Sequence, residues 1–209
     1  MFRKTLLSVL VLTMTVMPFE APASADTKPA GKTLANLETA FNGESNAQAR
    51  YLAFAKKADA DGLAPVASLF RAAARAEEIH AANHAKVIRA LGGVPEAQIE
   101  EPKVGATREN LDAAIKGESY ERDTMYPDFM KTARAEGQKN ALESFNYAKS
   151  AEAEHARLYT FALETIGTAS GKAPVTYYVC TVCGFTTTKL DFTKCPACFS
   201  PKDKYILVG

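Results

Sequence analysis

The sequence lacks a charge excess and a long hydrophobic run, and its few cysteines are confined to one segment. Lys and Arg total 25 against 24 Asp and Glu, and no basic run with interleaved aromatics occurs. Such a chain has no general attraction for nucleic acid or an anionic membrane, so we expect neither as a partner. The four cysteines fall within residues 180–198 and cannot staple the whole fold. A chain of 209 residues, 47% hydrophobic, can bury a core without disulfides.

The first 25 residues read as a secretory signal peptide. Arg3 and Lys4 precede an uncharged apolar run at residues 6–17, and Ala23-Ser24-Ala25 supplies small residues for cleavage. The run is shorter than the roughly 18 to 20 apolar residues that span a bilayer, which disfavours a membrane anchor. The absence of a twin-arginine pair favours export of an unfolded chain, with metal inserted afterwards. We therefore expect a mature chain that begins at Asp26 and is exported, in a bacterium to the periplasm.

Residues 33–167 show helical periodicity in four stretches separated by Gly or Pro. The stretches cover residues 34–60, 65–91, 108–136 and 139–166. Thr33 is predicted to cap the first helix, and Pro127 is expected to kink the third. Two short turns and a longer middle connection indicate an all-α four-helix bundle. Residues 168–173 read as a linker, and the Tyr, Val, Thr and Cys content of residues 174–209 favours short strands and turns.

The inward faces of the four predicted helices are apolar at their ends and ionisable in the middle. Pairs of ionisable residues lie three positions apart, which places both members of a pair on one helix face. These pairs are Glu77 with His80, Glu118 with Glu121, and Glu152 with His155, and Glu44 holds the matching place in the first helix. Burial of one uncompensated carboxylate costs several kcal/mol, so cations must share this space.

The same residues fit the ligand pattern of carboxylate di-metal bundles. In that pattern two helices each give a Glu and the other two each give Glu-x-x-His. Glu44 and Glu77 are 33 residues apart and Glu118 and Glu152 are 34 apart, so two helical hairpins repeat one arrangement. Glu121 is surplus to this repeat. Oxygen and nitrogen ligands dominated by carboxylates favour iron or manganese over structural zinc.

Three further residues near this set each have two interpretations. His84 lies one turn beyond His80, which favours either a hydrogen bond that supports a ligand or a satisfied place in the core. Tyr51 and Tyr126 either hydrogen-bond the site or pack as core aromatics. The sequence does not separate the two alternatives.

A second motif consists of two Cys-x-x-Cys pairs. Cys180 and Cys183 are followed, after eleven residues, by Cys195 and Cys198. Each pair bends into a knuckle that presents two thiolates, and two knuckles complete a tetrahedral metal site. Export raises the disulfide alternative, but two knuckles in a segment with little core of its own favour metal. Sulfur ligands alone leave iron and zinc as alternatives.

Together these motifs closely resemble the rubrerythrin family. The resemblance covers essentially the whole mature chain and rests on Gly43-Glu44-Ser45, Glu77-x-x-His80, Gly117-Glu118-x-x-Glu121, Met125-Tyr126-Pro127, Glu152-x-x-His155 and the two cysteine knuckles. It implies a ferritin-like di-iron bundle at residues 33–167 and a rubredoxin-like Fe(Cys)4 domain at residues 174–209. The implied activity is reduction of hydrogen peroxide to water, in protection against oxidative stress, with electrons from a donor protein entering through the rubredoxin-like iron.

The resemblance also implies roles for individual residues. The di-iron ligands would be Glu44, Glu77, Glu118, Glu121, Glu152 and His155, and His80 would exchange with Glu121 as one iron changes oxidation state. His80, Glu121, Tyr51 and Tyr126 are then the candidate catalytic residues, and Cys180, Cys183, Cys195 and Cys198 would hold the third iron. Family members are typically homodimers that place the rubredoxin-like centre of one subunit near the di-iron site of the other.

Two features depart from the family pattern. Phe199 stands where the family usually has Gly, which is expected to strain the second knuckle or alter N–H donation to sulfur. Export would also remove the usual cytoplasmic reductase and its nicotinamide cofactor, so the electron donor is not identified. The competing hypotheses are a ferroxidase or iron-handling protein with a structural zinc tail, and a non-catalytic metal-binding or interaction protein.

Overall fold

The computed structural model describes residues 31–209, so the expected signal peptide lies outside the described residues. Its helices are α1 (Gly31–Ala60), α2 (Ala64–Ala90), α3 (Thr107–Tyr120), α4 (Tyr126–Ala135) and α5 (Lys139–Thr165). A π-helical turn, Glu121–Met125, joins α3 to α4, so these two form one interrupted third helix. The predicted four-helix bundle is confirmed.

The start of α1 differs from the prediction. Thr33 is the third residue of α1 and is fully buried, so its prediction as the helix cap is wrong. The Glu136 carboxylate, at the far end of the third helix, accepts hydrogen bonds from the Lys32 and Thr33 amides at 3.2 and 2.9 Å. A carboxylate is favourable there because the first amides of a helix have no partner within it and carry partial positive charge.

The irregularity expected at Pro127 falls just before it. The Tyr126 amide donates to the Glu121 carbonyl, five residues back, which is the wide hydrogen bond of a π turn. Pro127 then stands in the first turn of α4 and has no N–H to donate to the preceding turn. The third helix is therefore interrupted in the turn before Pro127, which contains the Asp123 carbonyl that a proline at 127 cannot bond and whose place its ring crowds.

Two aromatic clusters fill the bundle on either side of its ionisable centre. Tyr51, Phe54, Phe70 and Tyr159 form one cluster, with ring centroids 5.2 to 6.3 Å apart. Tyr126, Phe129 and Phe145 form the other, with ring centroids 5.5 to 6.4 Å apart. Each fully buried ring contributes about 1.5 to 3 kcal/mol, so these clusters hold the four helices around the polar middle.

The C-terminal segment forms a small antiparallel sheet that packs on the bundle. Strands β1 (Tyr177–Cys180), β2 (Thr186–Thr187) and β3 (Tyr205–Val208) are arranged in the order β2-β1-β3. Val179 pairs with Thr186 on one side and with Ile206 on the other. Tyr177 and Val179 are buried in the same hydrophobic cluster as α1 and α2. Within residues 31–209, no helix has the length and apolar character needed to cross a membrane.

Candidate metal centres

The middle of the bundle contains two overlapping groups of four ligand side chains. One group consists of Glu44, Glu77, His80 and Glu152, and the other of Glu77, Glu118, Glu152 and His155. Within each group the ligand atoms lie within 4.8 Å of one another, and every residue is at most 1% exposed. Because Glu77 and Glu152 belong to both groups, the arrangement suits two neighbouring cations bridged by two carboxylates.

The hydrogen bonds of the two histidines fix which ring nitrogen faces the carboxylates. His80 Nε2 lies 3.0 Å from the Cys183 carbonyl, which only accepts, so Nε2 carries the hydrogen. His155 Nε2 lies 3.1 Å from Thr186 Oγ1, whose own hydrogen goes to the Gly184 carbonyl. In a neutral imidazole each Nδ1 atom then has a free lone pair; the Nδ1 atoms of His80 and His155 lie 2.9 and 2.8 Å from Glu77 Oε2 and Glu152 Oε2. They face the glutamates as metal ligands do.

The glutamates have oxygen atoms that protein groups leave unsatisfied. Among the described residues, one buried oxygen each of Glu44, Glu77, Glu118 and Glu152 accepts no hydrogen bond. Glu152 Oε1 lies 2.9 Å from His80 Nδ1, yet without hydrogen-bond geometry. Buried carboxylate oxygens are rarely left unpaired, and oxygen and imidazole donors together suit iron. The residues present therefore fit a pair of iron ions.

Burial and mutual repulsion shift the ionisation of this cluster strongly. Burial and the Glu152 charge raise the pKa of Glu118 to about 8, and burial with the same neighbour raises the pKa of Glu77. Burial opposes charge on His80 and His155, but nearby carboxylates outweigh it and raise the pKa of both. Burial acts against the Glu152 charge as well, yet the two histidines lower its pKa. The cluster concentrates carboxylates whose negative charge two cations would neutralise.

Both tyrosines that the sequence left ambiguous donate hydrogen bonds to the site. Tyr51 Oη donates to Glu118 Oε1 at 2.6 Å, and Tyr126 Oη donates to Glu44 Oε1. Both rings are also part of the aromatic clusters, so each residue combines the two predicted alternatives. Each tyrosine fixes one oxygen of a glutamate, so the other oxygen remains available as a ligand.

His84 supports the site indirectly, through its contact with Tyr126. Its Nε2 lies 3.1 Å from the Tyr126 hydroxyl and its Nδ1 lies 2.8 Å from Ser144 Oγ. It is in neither ligand group, and burial lowers its pKa, which favours the neutral ring. The prediction that His84 has a supporting place fits this geometry. Ser144 carries no sequence signal, because one serine on a helix is ordinary.

Glu121 lies outside both groups of ligands in the described chain. It is half-buried at the start of the π turn, and burial with the Glu44 charge raises its pKa. The Arg50 guanidinium lies over the Tyr51 ring, 5.4 Å from its centroid. Burial opposes the charge on Arg50, but Tyr51 and Glu121 outweigh it and raise its pKa. The ligand role of Glu121 therefore stays a prediction, and Arg50 is a neighbour that the sequence analysis missed.

The four cysteine Sγ atoms lie within 4.8 Å of one another, at separations too long for disulfide bonds. All four are free thiols, with Cys180 and Cys198 Sγ atoms 3.7 Å apart and Cys183 and Cys195 Sγ atoms 3.6 Å apart. A tetrahedral metal with sulfur bonds of about 2.3 Å requires sulfur separations of about 3.8 Å. A disulfide requires about 2.05 Å. The four-cysteine cluster therefore fits one metal ion.

Gly184 and Phe199 hold corresponding places in the two knuckles. Each follows the second cysteine of its pair and has positive φ, 77° for Gly184 and 59° for Phe199. Each amide donates to the carbonyl of the first cysteine in its pair, Gly184 to Cys180 at 2.8 Å and Phe199 to Cys195 at 2.9 Å. The left-handed conformation costs about 1–2 kcal/mol for a residue with a Cβ. Phe199 therefore forms the same knuckle turn as Gly184, but in a strained backbone conformation.

Comparisons with known proteins agree with these two clusters. Residues 35–163 match the rubrerythrin family model. The chain belongs to the rubrerythrin family. Nigerythrin of Nitratidesulfovibrio vulgaris is 39% identical over 87% of this chain and 89% of its own length. Rubrerythrin-2 of Clostridium acetobutylicum is 36% identical over 81% of this chain and 92% of its own.

A solved structure extends the agreement to the three-dimensional arrangement. A nigerythrin structure in a partially reduced state matches with a TM-score of 0.77 and 35% identity, over 94% of this chain and 100% of that one. Other nigerythrin structures are described as mixed-valence and all-ferrous. The ferritin-like bundle with a C-terminal four-cysteine domain is thereby confirmed. With its two metal clusters, this member of the rubrerythrin family is an iron-dependent oxidoreductase.

Proposed function

We propose that this protein reduces hydrogen peroxide to water with electrons relayed through the four-cysteine iron. Its cofactors are two iron ions in the bundle and one in the four-cysteine cluster. The observation that carries the proposal is the hydrogen bond from His80 Nε2 to the Cys183 carbonyl at 3.0 Å. A ligand of the bundle site thus contacts the backbone of a cysteine that holds the other iron.

A second contact holds the same knuckle against the bundle. Asn83 Nδ2 donates to the Val182 carbonyl at 2.8 Å, one helical position from His84 and one residue from Cys183. These contacts form within one chain. A purely structural zinc tail has no need to contact a ligand of the bundle, which is why we favour an electron-carrying role for the cluster.

The chemistry divides between the two centres. Reduction of hydrogen peroxide takes two electrons and two protons. Two ferrous ions held by the bundle glutamates and histidines would supply the two electrons, and an iron held by the four cysteines would carry one electron at a time. Tyr51 and Tyr126 hold Glu118 and Glu44 in place by donating to one oxygen of each. The fixed Nε2 hydrogens of His80 and His155 keep both Nδ1 atoms turned inward. The surrounding aromatic clusters exclude bulk water from the glutamates.

Absorption spectra and turnover test this function together. We expect the oxidised, iron-loaded protein to be red from its Fe(Cys)4 centre, and to consume peroxide faster than oxygen with any one-electron donor that reduces that centre. A colourless cysteine site and faster consumption of oxygen would instead favour the ferroxidase with a zinc tail. We also propose export through the N-terminal segment, so the electron donor is a protein of the exported compartment.

A further inference from the structure

A row of buried polar groups leads away from the glutamate cluster. It runs from Ser144 Oγ to His84 Nδ1 at 2.8 Å, from His84 Nε2 to Tyr126 Oη at 3.1 Å, and from Tyr126 Oη to Glu44. Ser144 is 4% exposed, and the other three residues are fully buried. The row joins α5, α2, α4 and α1, so it crosses the bundle.

All hydrogens of this row point towards Glu44. The single hydrogen of Tyr126 is donated to Glu44 Oε1. Tyr126 Oη then has to accept from His84, so the histidine hydrogen is on Nε2. His84 Nδ1 is left as an acceptor and receives the Ser144 hydroxyl hydrogen. This consistent direction is what stepwise proton movement to Glu44 requires.

The outer end of the row opens into a surface cleft. The cleft has a volume of about 380 Å³ and is lined by Asn83, Lys86, Glu143, Ser144, Tyr147 and Val182, of which Lys86 and Glu143 are exposed. Ser144 lines this cleft and is 4% exposed, whereas His84 is fully buried and does not line it. Towards the inside, the Phe145 ring lies 5.5 Å from the His84 ring and 5.9 Å from the Tyr126 ring. Phe145 is thus an apolar neighbour of both the His84 and the Tyr126 rings of the row.

We propose that Ser144, His84 and Tyr126 conduct protons from this cleft to Glu44. A proton from solvent enters at Ser144 Oγ as the Ser144 hydrogen passes to His84 Nδ1. The His84 Nε2 hydrogen then passes to Tyr126, and the Tyr126 hydrogen passes to Glu44. One proton enters at Ser144 and one is delivered to Glu44, and His84 then has its hydrogen on Nδ1 until it exchanges back to the Nε2–H tautomer. The reduction H₂O₂ + 2e⁻ + 2H⁺ → 2H₂O consumes what the row delivers.

The proposal rests on the proposed function only for the identity of the oxidant, so its first test avoids turnover. The test uses the zinc-loaded protein labelled with ¹⁵N-histidine, in which no metal changes oxidation state. The chain has only three histidines, so the His84→Gln variant identifies the His84 signal. We expect the Nε2–H tautomer, with hydrogen exchange at least about tenfold slower in Ser144→Ala and restored in Ser144→Thr.

A matched control variant and a measurement of the oxidation rate complete the test of the proton route. Ser68 is also a buried helical serine, but its hydroxyl donates to the Ala64 carbonyl of its own helix at 3.0 Å. Ser68→Ala should leave the exchange of His84 unchanged. In the iron-loaded protein, Ser144→Ala should slow oxidation by peroxide and enlarge the effect of D₂O on that rate. An Nδ1–H tautomer, or equal exchange in Ser144→Ala and wild type, overturns the proposal. If wild type does not reduce peroxide, the proposed function fails while the exchange result still decides the proton route.

Discussion

Replacement of Gly184 by alanine tests how closely the first cysteine knuckle packs against the bundle. A Cβ at this position would overlap His80 Nε2, and it would lie 2.9 Å from His80 Cδ2 and 3.2 Å from the Ala76 carbonyl oxygen. The imidazole is a buried ligand and the carbonyl is helix backbone, so neither can move aside freely. The knuckle should therefore shift outward and lose the hydrogen bond between His80 and the Cys183 carbonyl.

The expected magnitude follows from two separable contributions. Positive φ at Gly184 costs an alanine about 1–2 kcal/mol, and the lost hydrogen bond costs about 0.5–1.5 kcal/mol. Gly62 is the matched control, because its φ of 71° is similar to the 77° of Gly184 and an added Cβ there meets nothing within 4 Å. We therefore expect Gly184→Ala to destabilise the protein by about 0.5–1.5 kcal/mol more than Gly62→Ala does.

Two assays measure the difference. Urea unfolding of the iron-loaded variants gives the two changes in free energy, and stopped-flow spectroscopy gives the rate at which the Fe(Cys)4 centre re-reduces the bundle irons. Only Gly184→Ala should slow that rate. Equal destabilisation by the two substitutions, with equal rates of re-reduction, would refute the view that the contact between His80 and the knuckle couples the two centres.

Other predictions concern single positions in the same framework. Phe199→Gly should raise the free energy of unfolding by about 1 kcal/mol in urea titrations, because it relieves positive φ while its side chain is 72% exposed; an unchanged or lower stability would contradict the strain at this knuckle. Glu121→Ala should keep the fold and at least one bundle metal, because Glu121 lies outside both four-ligand groups. It should lose most peroxide turnover, because the family resemblance makes Glu121 the ligand that exchanges with His80. Full turnover of a metal-replete variant would reject this catalytic role. The mature protein should begin at Asp26 and bind three metal ions per chain, as N-terminal sequencing and metal analysis can show; an exported protein that retains Met1, or one metal per chain, would contradict the corresponding half.

The bundle and most of its site were predictable because helical periodicity couples sequence position to direction. A glutamate and a histidine three residues later lie on the same face of a helix, and an otherwise apolar face points into the bundle. Spacing alone could therefore place together Glu77, His80, Glu152 and His155. The cysteine knuckles were predictable for a similar reason, since the x-x spacing sets the local turn.

The remaining features depend on contacts that local sequence does not encode. The capping of α1 by Glu136 joins residues about a hundred positions apart, so Thr33 was the better local candidate and the wrong one. The π turn ends two residues before Pro127, and a proline in a helical pattern predicts a kink but not the kind of hydrogen bond that accommodates it. The contacts of His80 with the Cys183 carbonyl and of His84 with Ser144 likewise link separate segments. Neither pair has a spacing that a sequence pattern reveals.

The most direct measurement of the account compares one and many turnovers in the Cys198→Ala variant. The four thiolates lie apart from the glutamate ligands, so the chemically reduced bundle site should still be oxidised once by peroxide at a rate close to that of wild type. A three-thiolate site should lose iron or change potential strongly, so later re-reduction by a protein donor should be very slow. We expect a normal first oxidation followed by almost no further peroxide consumption. Rapid multiple turnover in this variant would contradict this expectation, because electrons would then reach the bundle without the four-cysteine iron.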